Sequence, residues 1–256
     1  MGICMAAEHV SGEVSQRTHP RIYQYSYVNL LAIKKAVLAF AHKITWANPT
    51  WYKLLDMWCG NKPYVSFFTW ASEYVWSDII PWPMVDVICD NDAIPFTDWY
   101  FDVCLCNQTL EHTKNVHGAI AEMKRVVKKD GLLLVSIPFL YPEHACPWDF
   151  YRFTRFGLQE IFSGFEITSI TSSSWYASSL AFYCNMLFTH GALMRKIASP
   201  LFLVLNVLWV TIDRFFTKML YVYCGWRHIP LIRTIIENHY MQFTLDYIIV
   251  LKNAKK

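Results

Sequence analysis

The run from Leu54 to Tyr64, LLDMWCGNKPY, constrains the fold more than any other part of the chain. Its apolar first half is typical of a buried strand, which ends on Asp56 and is followed by a tight turn around Gly60. In nucleotide-binding doubly wound folds, small residues in the first strand-to-helix turn let backbone N–H groups approach the ligand. The run therefore predicts a strand whose carboxyl end meets a nucleotide-sized ligand. A core strand with a surface turn is the alternative.

The spacing of the next acid supports the ligand site. A second apolar run, Tyr74 to Trp76, ends near Asp78, which lies 22 residues after Asp56 (78 minus 56). In these folds an acid about 20 residues after the first strand accepts hydrogen bonds from ribose hydroxyls. The dinucleotide fingerprint G-x-G-x-x-G is absent, because Gly60 is the only glycine in the turn. We therefore expect a nucleoside ligand without a pyrophosphate.

Further motifs follow the second strand in a fixed order. They are MVDVIC at 84–89 with DND at 90–92, FDVCLCNQ at 101–108, LEH at 110–112, and RVVKKDG at 125–131 before an apolar run at 132–138. Together with the first strand they resemble the class I S-adenosylmethionine-dependent methyltransferases, in particular the group with an LDxGCGxxPY first motif and an FDxVxxxxxLEH fourth motif. Each motif is weak alone, but five in the right order over residues 54–138 make the resemblance specific.

The resemblance implies that polar residues at the carboxyl ends of the strands contact the cofactor, S-adenosyl-L-methionine. These residues are Asp56, Cys59, Gly60 and Asn61 at the first strand, Asp78 at the second, Asp90 and Asn91 after the third, and Asn107 and Gln108 after the fourth. By the resemblance, the residues at the first strand would face the methionine part of the cofactor. Asp78 would accept hydrogen bonds from its ribose. The residues after the third strand would meet the adenine, and the last pair would border the sulfonium and the substrate. The alternative for each carboxylate is a helix cap or a solvated turn.

Trp58 does not fit this pattern, because the resembling family has a glycine there and a side chain would enter the cofactor's space. Trp76 and Trp99 likewise stand where the family carries a glycine or another small residue. The chain has 11 Trp and only 9 Gly, although average glycine usage is about 7%. Two explanations stay open. The site has decayed and no longer binds the cofactor, or these tryptophans are misread glycine codons, since UGA encodes glycine in some genetic codes and tryptophan in others.

Composition narrows the remaining classes. A chain of 256 residues suits one domain with a sizeable core. With 23 basic and 20 acidic side chains there is no basic footprint, so we expect no nucleic-acid partner. The eight cysteines show no C-x-x-C or paired Cys/His spacing, so the sequence predicts no metal site. Without a secretory signal at the amino terminus, we expect a cytoplasmic protein with reduced thiols.

The order of elements predicts an α/β fold. Short strands alternate with helices over residues 51–172, which indicates a parallel sheet covered on both faces. We expect a tail and an amphipathic helix over 1–49, the cofactor-binding core over 50–172, and an apolar helical extension with the last strand over 173–256. The resemblance implies a doubly wound, mostly parallel seven-stranded sheet. Its last strand, Phe243 to Lys252, would lie antiparallel at the sheet edge.

The segment PEHACPWDFYRFT at 142–154 follows the fifth strand. It resembles an H-x-x-P-x-D-[FY]-Y-R-[FY]-T segment that lies beside the acceptor pocket in a subset of these methyltransferases. Methyl transfer needs an aligned nucleophile and, for oxygen or nitrogen, also a base. His112 and His144 are the candidate catalytic residues by their usual pKa, and Tyr151 and Arg152 the candidate substrate contacts. Alternatively, His112 caps the following helix, and Tyr151 and Arg152 pin a loop.

The carboxyl-terminal third is strongly apolar. Pro200 to Ile212 is an apolar run of about 13 residues, short of the roughly 20 that span a bilayer. It is typical of a helical insertion that packs on the sheet, covers the acceptor pocket or lies in a membrane interface. Nearby aromatic and basic residues indicate peripheral membrane contact through residues 180–218.

Three functional hypotheses follow. Methyl transfer from S-adenosylmethionine to a small-molecule or lipid-linked acceptor agrees best with the motifs. A non-catalytic relative with a cofactor site obstructed at Trp58 is the alternative. A nicotinamide oxidoreductase is disfavoured, because the turn that would bind the phosphates is missing.

Overall fold

The computed structural model describes residues 16–47, 51–58, 62–187, 192–227 and 243–254. The strands are β1 (Tyr52–Met57), β2 (Ala71–Asp78), β3 (Val87–Ile88), β4 (Phe101–Asn107), β5 (Val127–Pro138), β6 (Glu166–Ser172) and β7 (Asp246–Lys252). The helices are α1 (Tyr27–Ala47), α2 (Val116–Val126), α3 (Arg155–Ile161), α4 (Tyr176–Met186) and α5 (Ala192–Arg227), with single 3-10 turns at Val65–Phe67 and Leu110–His112.

The seven strands form one sheet in the order β3-β2-β1-β4-β5-β7-β6. Neighbouring strands from β3 to β5 are parallel, and β7 is antiparallel to both β5 and β6. This confirms the predicted mostly parallel sheet but corrects the place of its last strand, since β6 forms the edge. The burial pattern explains the order. Most of β7 is buried, as in a strand covered on both faces, whereas several residues of β6 are exposed.

Two apolar layers sandwich the sheet. Side chains of successive strand residues point to opposite faces, so Leu54 packs with α1 residues while Leu55 packs with α2 residues. From α1, Val37 and Phe40 are buried in the first layer. From α2, Met123 is buried in the second. The predicted helix before the sheet is confirmed at Tyr27–Ala47, within the expected range 1–49.

Helices α4 and α5 form the predicted insertion before the last strand. Helix α5 has 36 residues, and its segment Ile197–Phe216 is long and apolar enough to cross a membrane by length and composition, with 17% of it buried. The expectation of an apolar segment too short to span a bilayer was therefore wrong, because the segment Ile197–Phe216 has 20 residues. Polar residues continue the helix because they have partners: Asn206 bonds Asn185 of α4 at 3.0 Å, and Asp213 accepts from the Ser178 N–H at 3.0 Å. The predicted domain boundaries stay a prediction.

The fold brings the ends of several strands to one place. In a parallel sheet all carboxyl ends lie at the same edge, where open α/β sheets bind ligands. Here that edge carries the ends of β1, β2, β4 and β5 side by side. The candidate site is built there.

Candidate functional site

Two buried acids lie at the ends of neighbouring strands. Asp56 precedes the last residue of β1 and Asp78 ends β2, and both side chains are buried. Asp56 accepts a hydrogen bond from the Tyr74 hydroxyl, and Asp78 accepts one from the Ile80 N–H at 2.9 Å. The structure thus brings together the two acids that the spacing singled out. The bond within the turn also agrees with the turn-acid alternative for Asp78.

The turn after β1 is described only in part. Its predicted residues Cys59, Gly60 and Asn61 lie outside the described part of the chain, so their contacts stay predictions. Trp58 has φ 49°, and its N–H donates to the Ser77 carbonyl at 2.8 Å. This φ is in the left-handed region, where a residue with a Cβ is strained and glycine is not. The backbone at position 58 therefore has the conformation that suits the glycine of the resembling family.

The other two anomalous tryptophans differ from each other. Trp99 also has a left-handed backbone, with φ 58°, and its side chain is 60% exposed. Trp76 lies within β2, is fully buried, and donates its backbone N–H to an oxygen of Asp86 at 2.8 Å. Two of the three positions thus have a backbone that favours glycine, while the third is part of the packed core. The misread-codon hypothesis stays a prediction.

The side-chain oxygen of Asn91 is a buried hydrogen-bond acceptor that receives no hydrogen bond within the described residues. Its amide Nδ2 donates to the Thr113 hydroxyl at 3.0 Å, but its Oδ1 is buried and accepts from no group in the described residues. Asp90 is exposed, and its carboxylate accepts the Asn91 N–H at 2.8 Å. A buried carbonyl oxygen is costly unless it receives a hydrogen bond. An amino group, such as that of a nucleoside base, would satisfy it.

The ends of β4 and β5 are joined through Ser136. Its hydroxyl donates to Asn107 Oδ1 and accepts from Gln108 Nε2, the latter at 3.2 Å. The Gln108 N–H donates to the Ser136 carbonyl at 3.0 Å, and the residue has φ 54°. Asn107 and Gln108 therefore lie at the expected edge, and Ser136 holds both side chains in place. Ser136 was missed, because only its register opposite Asn107 makes it part of the site.

The two candidate catalytic histidines meet at a carboxylate that was not predicted as a site residue. The Nε2 atoms of His112 and His144 each lie 3.8 Å from Oε1 of Glu111. The two rings are perpendicular, with centroids 4.8 Å apart. Glu111 is in the LEH motif, so its position beside His112 was the available signal. The separation of 32 positions between the histidines (144 minus 112) hides the cluster from any local pattern.

Glu111 is buried with unsatisfied oxygens. Neither carboxylate oxygen accepts a hydrogen bond within the described residues. Burial raises the pKa of Glu111 to about 8, because desolvation disfavours the charged form. Burial also lowers the pKa of His144, so its neutral imidazole is favoured at neutral pH. Glu111 therefore lies in a dry environment, where added charge has large effects, while both histidine rings are partly exposed.

An ion pair fixes the loop that follows β5. Arg152 makes a two-pronged bond to Asp149, at 2.5 and 2.7 Å, and also donates to the carbonyl oxygens of Tyr141 at 3.0 Å and Pro142 at 3.1 Å. Burial alone would raise the pKa of Asp149, but bonds from Arg152 and from the His144 N–H outweigh it and lower that pKa to about 2. These contacts favour the loop-pinning alternative for Arg152. Substrate contact stays a prediction.

His112 and Tyr151 also contact the backbone. Nδ1 of His112 lies 2.7 Å from the Trp148 carbonyl oxygen, and the Tyr151 hydroxyl donates to the Lys114 carbonyl at 2.9 Å. The side chain that caps α2 is Asn115, which accepts from the Gly118 N–H at 3.1 Å. The helix-cap alternative for His112 was therefore wrong.

Comparison with known proteins agrees with this geometry. Residues 70–135 match the family model of a methyltransferase domain, so the match begins after β1 and its turn. The ubiquinone/menaquinone biosynthesis C-methyltransferase UbiE of Paraburkholderia phymatum is 45% identical over 49 residues, 19% of this chain and 20% of that protein. The same enzyme of Paraburkholderia phytofirmans is 34% identical over 80 residues, 27% and 33% of the two chains. The chain thus spans a fifth to a third of these relatives.

Solved structures share the fold at low identity. A candidate sarcosine dimethylglycine methyltransferase from Galdieria sulphuraria has TM-score 0.52 and 13% identity, covering 88% of this chain and 86% of its own. A candidate methyltransferase from Bacillus halodurans has TM-score 0.51 and 15% identity, and the match covers 85% of this chain and 99% of that one. The [4+2]-cyclase SpnF has TM-score 0.51 and 16% identity, and the match covers 87% of this chain and 83% of that one.

By its sheet order and its likeness to these structures, the chain has the fold of the class I S-adenosylmethionine-dependent methyltransferases. Residues 70–135 match the methyltransferase domain model named above. Because a cyclase shares the fold, the reaction has to be argued from the site.

Proposed function

We propose that this chain binds S-adenosylmethionine along the carboxyl ends of β1 to β4 and transfers its methyl group to a small-molecule or lipid-linked acceptor. The observation that carries the proposal is the buried pair Asp56 and Asp78 at adjacent strand ends. The unsatisfied Oδ1 of Asn91 adds an acceptor near the same edge. The family segment at 70–135 supports the same conclusion.

The cofactor supplies a methyl group on a positively charged sulfur, which makes the methyl carbon electrophilic. Asp78 would accept from hydroxyl groups of its ribose, and Asn91 from the amino group of its base. Asp56, Asn107 and Gln108 would border its reactive end. The acids fit this role because carboxylates accept strong hydrogen bonds where water is excluded.

The acceptor would lie beside the histidine cluster. Nδ1 of His112 and of His144 each face a backbone carbonyl oxygen, at 2.7 and 3.2 Å. A proton on Nδ1 leaves the lone pair on Nε2 to accept another. Each ring is therefore able to take a proton from an oxygen or nitrogen nucleophile.

The exposed face of α5 supports a lipid-linked acceptor and contact with a membrane surface. It carries large apolar side chains at Ile197, Leu201, Leu203, Val204, Val207, Leu208, Phe215, Phe216 and Met219. An exposed apolar helix face of this size is typical of a partner or membrane surface. The names of the curated relatives, which refer to ubiquinone and menaquinone biosynthesis, agree with such an acceptor. We place the protein in the cytoplasm, at the membrane surface.

Calorimetric titration with S-adenosylhomocysteine tests the cofactor site. We expect saturable binding by the wild type and at least tenfold weaker binding by Asp78→Asn. Asparagine keeps an oxygen for the Ile80 N–H, so the turn is preserved while the charge is lost. The control is Glu160→Gln, an exposed acid on α3, which should bind as the wild type does. Absence of binding at high ligand concentration would instead support the non-catalytic alternative.

Sedimentation with lipid vesicles tests the membrane contact. We expect the wild type to sediment with vesicles of mixed neutral and anionic lipid, and Val207→Lys/Leu208→Lys to stay in solution. Phe156→Lys is the control, because Phe156 is equally apolar and exposed but lies on α3. Equal sedimentation of all three proteins would contradict contact through α5.

A further inference from the structure

We propose that Glu111, His112 and His144 bind one divalent transition-metal ion, through one carboxylate oxygen and the Nε2 atom of each ring. The first reason is Glu111 itself. It is fully buried, and within the described residues neither of its oxygens accepts a hydrogen bond. A buried carboxylate in this condition is costly, and buried charges in proteins are normally paired or bound to a metal.

The histidines are already oriented as metal ligands. A ligating histidine usually donates its other ring N–H to a backbone carbonyl or a carboxylate, which fixes the tautomer and the ring. Nδ1 of His112 lies 2.7 Å from the Trp148 carbonyl oxygen, and Nδ1 of His144 lies 3.2 Å from that of Pro142. Both arrangements leave Nε2 as the free lone pair. Both Nε2 atoms face the same oxygen of Glu111.

The distances are close to those of a bound ion. The three ligand atoms lie within 4.8 Å of one another, and each nitrogen is 3.8 Å from the carboxylate oxygen. Around a tetrahedral ion with bonds of about 2.1 Å, ligand atoms are about 3.4 Å apart. The site would close through ring shifts of about 1 Å. His112 and His144 are only partly buried, so their rings have room for this movement.

The ligand set indicates the class of metal. Two imidazoles and one carboxylate suit zinc or ferrous iron, whereas magnesium and calcium prefer oxygen ligands. Three protein ligands leave at least one position open, as in catalytic zinc sites. The sequence-based expectation of no metal site rested on cysteine spacing, and this cluster uses no cysteine. Its ligands come together only through the fold.

An ion at this place would also activate an acceptor. It would bind an acceptor hydroxyl oxygen at its open position and lower the pKa of that hydroxyl. The O–H bond then breaks, its electron pair stays on the oxygen, and the proton goes to water. Direct proton transfer to Nε2 would then not be needed. This consequence rests on the proposed function, whereas binding of the ion does not.

Titration of the full-length, metal-free protein tests the site. Zinc chloride is followed by calorimetry and cobalt chloride by visible absorption, which reports the coordination of the ion. We expect one ion per chain. Glu111→Gln, His112→Gln and His144→Gln should each weaken binding by about a hundredfold or more. His117→Gln is the control, because His117 is an exposed histidine on α2 outside the cluster, and its affinity should equal that of the wild type.

Melting curves with and without zinc guard against variants that merely unfold. Glu111→Gln removes a buried, unsatisfied carboxylate, so without zinc it should melt at or above the wild-type temperature. It should nevertheless lose the rise in melting temperature that zinc gives the wild type. Such opposite changes are not expected of a purely structural residue.

Two results would overturn the proposal. One is no saturable zinc binding by the wild type, and the other is binding by the three cluster variants that matches the wild type. S-adenosylhomocysteine binding, measured on the same variants, keeps the two proposals apart. If it persists while zinc binding is absent, the metal site is wrong and the proposed function is unaffected.

Discussion

The cofactor edge at β1 and β2 and the acceptor side at the ends of β4 and β5 differ in how they are built. The first depends on acids at a fixed sequence spacing, Asp56 and Asp78, and on one turn. The second is assembled from Glu111, from two distant histidines and from the loop pinned by Arg152. A site made of consecutive strand ends can therefore be found in the sequence. A site made by packing distant segments needs the structure.

The largest effect is expected from breaking the acceptor side at Arg152. Arg152→Ala would leave the Asp149 carboxylate, whose side chain is 2% exposed, without its two-pronged partner. Removing one partner of a buried pair leaves a charge uncompensated, so we expect a loss of about 3 kcal/mol in the free energy of unfolding. Urea unfolding measures it.

Asp149→Asn/Arg152→Met separates the pair from the packing of the loop. It removes both charges, so it should recover part of the stability that Arg152→Ala loses. If the single and the double variant are equally unstable, the charge pair is not what holds the acceptor side together.

A smaller effect, with a defined pH dependence, is expected at Asp246. Burial raises the pKa of Asp246 from 3.8 to about 7, although bonds from Ser173 and the charge of Arg152 oppose this. The folded state therefore holds a proton that the unfolded state has released. The protonated Asp246 carboxyl group therefore contributes its full share of the unfolding free energy below pH 3.8, and this share is lost as the pH rises to about 7.

Asp246→Asn removes this titration. The difference in unfolding free energy between variant and wild type should grow in favour of the variant from pH 5 to pH 8, on the order of 2 kcal/mol. Urea unfolding at both pH values measures it. A difference that is constant with pH would contradict the raised pKa.

The cofactor edge is tested by replacing Trp58 with glycine. Trp58→Gly relieves a left-handed backbone and should raise the unfolding free energy by about 1 kcal/mol. If the indole obstructs the cofactor, affinity for S-adenosylhomocysteine should also rise at least tenfold. Trp99→Gly is a matched control, because its φ is similar but its side chain is exposed. It should gain stability without gaining affinity.

The codons distinguish the two explanations for the tryptophans. UGA at positions 58 and 99 would support glycine in the natural protein, and UGG would contradict it. If Trp58→Gly gains stability but no affinity, obstruction by the indole is wrong, and a decayed site becomes the better explanation. Trp76 gives a useful contrast, because glycine there would leave a cavity in the core.

Much of the fold followed from the sequence because its signals are local. The strand that carries Asp56 comes from a pattern within a dozen residues, whereas the antiparallel last strand followed from the family resemblance. The position of β7 between β5 and β6 did not, because pairing order is not written in one segment. Helix α5 was underestimated for a related reason. Asn206 looks like an interruption until its partners in another helix and at Ile22 are known.

The candidate site divides in the same way. Asp56, Asp78, Asn107 and Gln108 lie at the strand ends where their motifs placed them. Glu111 and Ser136 were missed, since their importance comes from burial and from cross-strand register. A search for paired metal ligands at short spacing could not find two histidines brought together by a loop.

The smallest effect is expected where a charge pair is exposed, at the end of the sheet opposite the site. Lys252 of β7 pairs with Asp130 at 2.8 Å, with side chains 36% and 55% exposed. Water and salt screen such pairs, and ordering two side chains offsets the attraction. Lys252→Met should therefore leave the urea midpoint within error of the wild type, at both low and high salt. Lys252→Met would lose as much unfolding free energy as Arg152→Ala only if burial made no difference. Such a loss would contradict burial as the reason why the Arg152–Asp149 pair matters more.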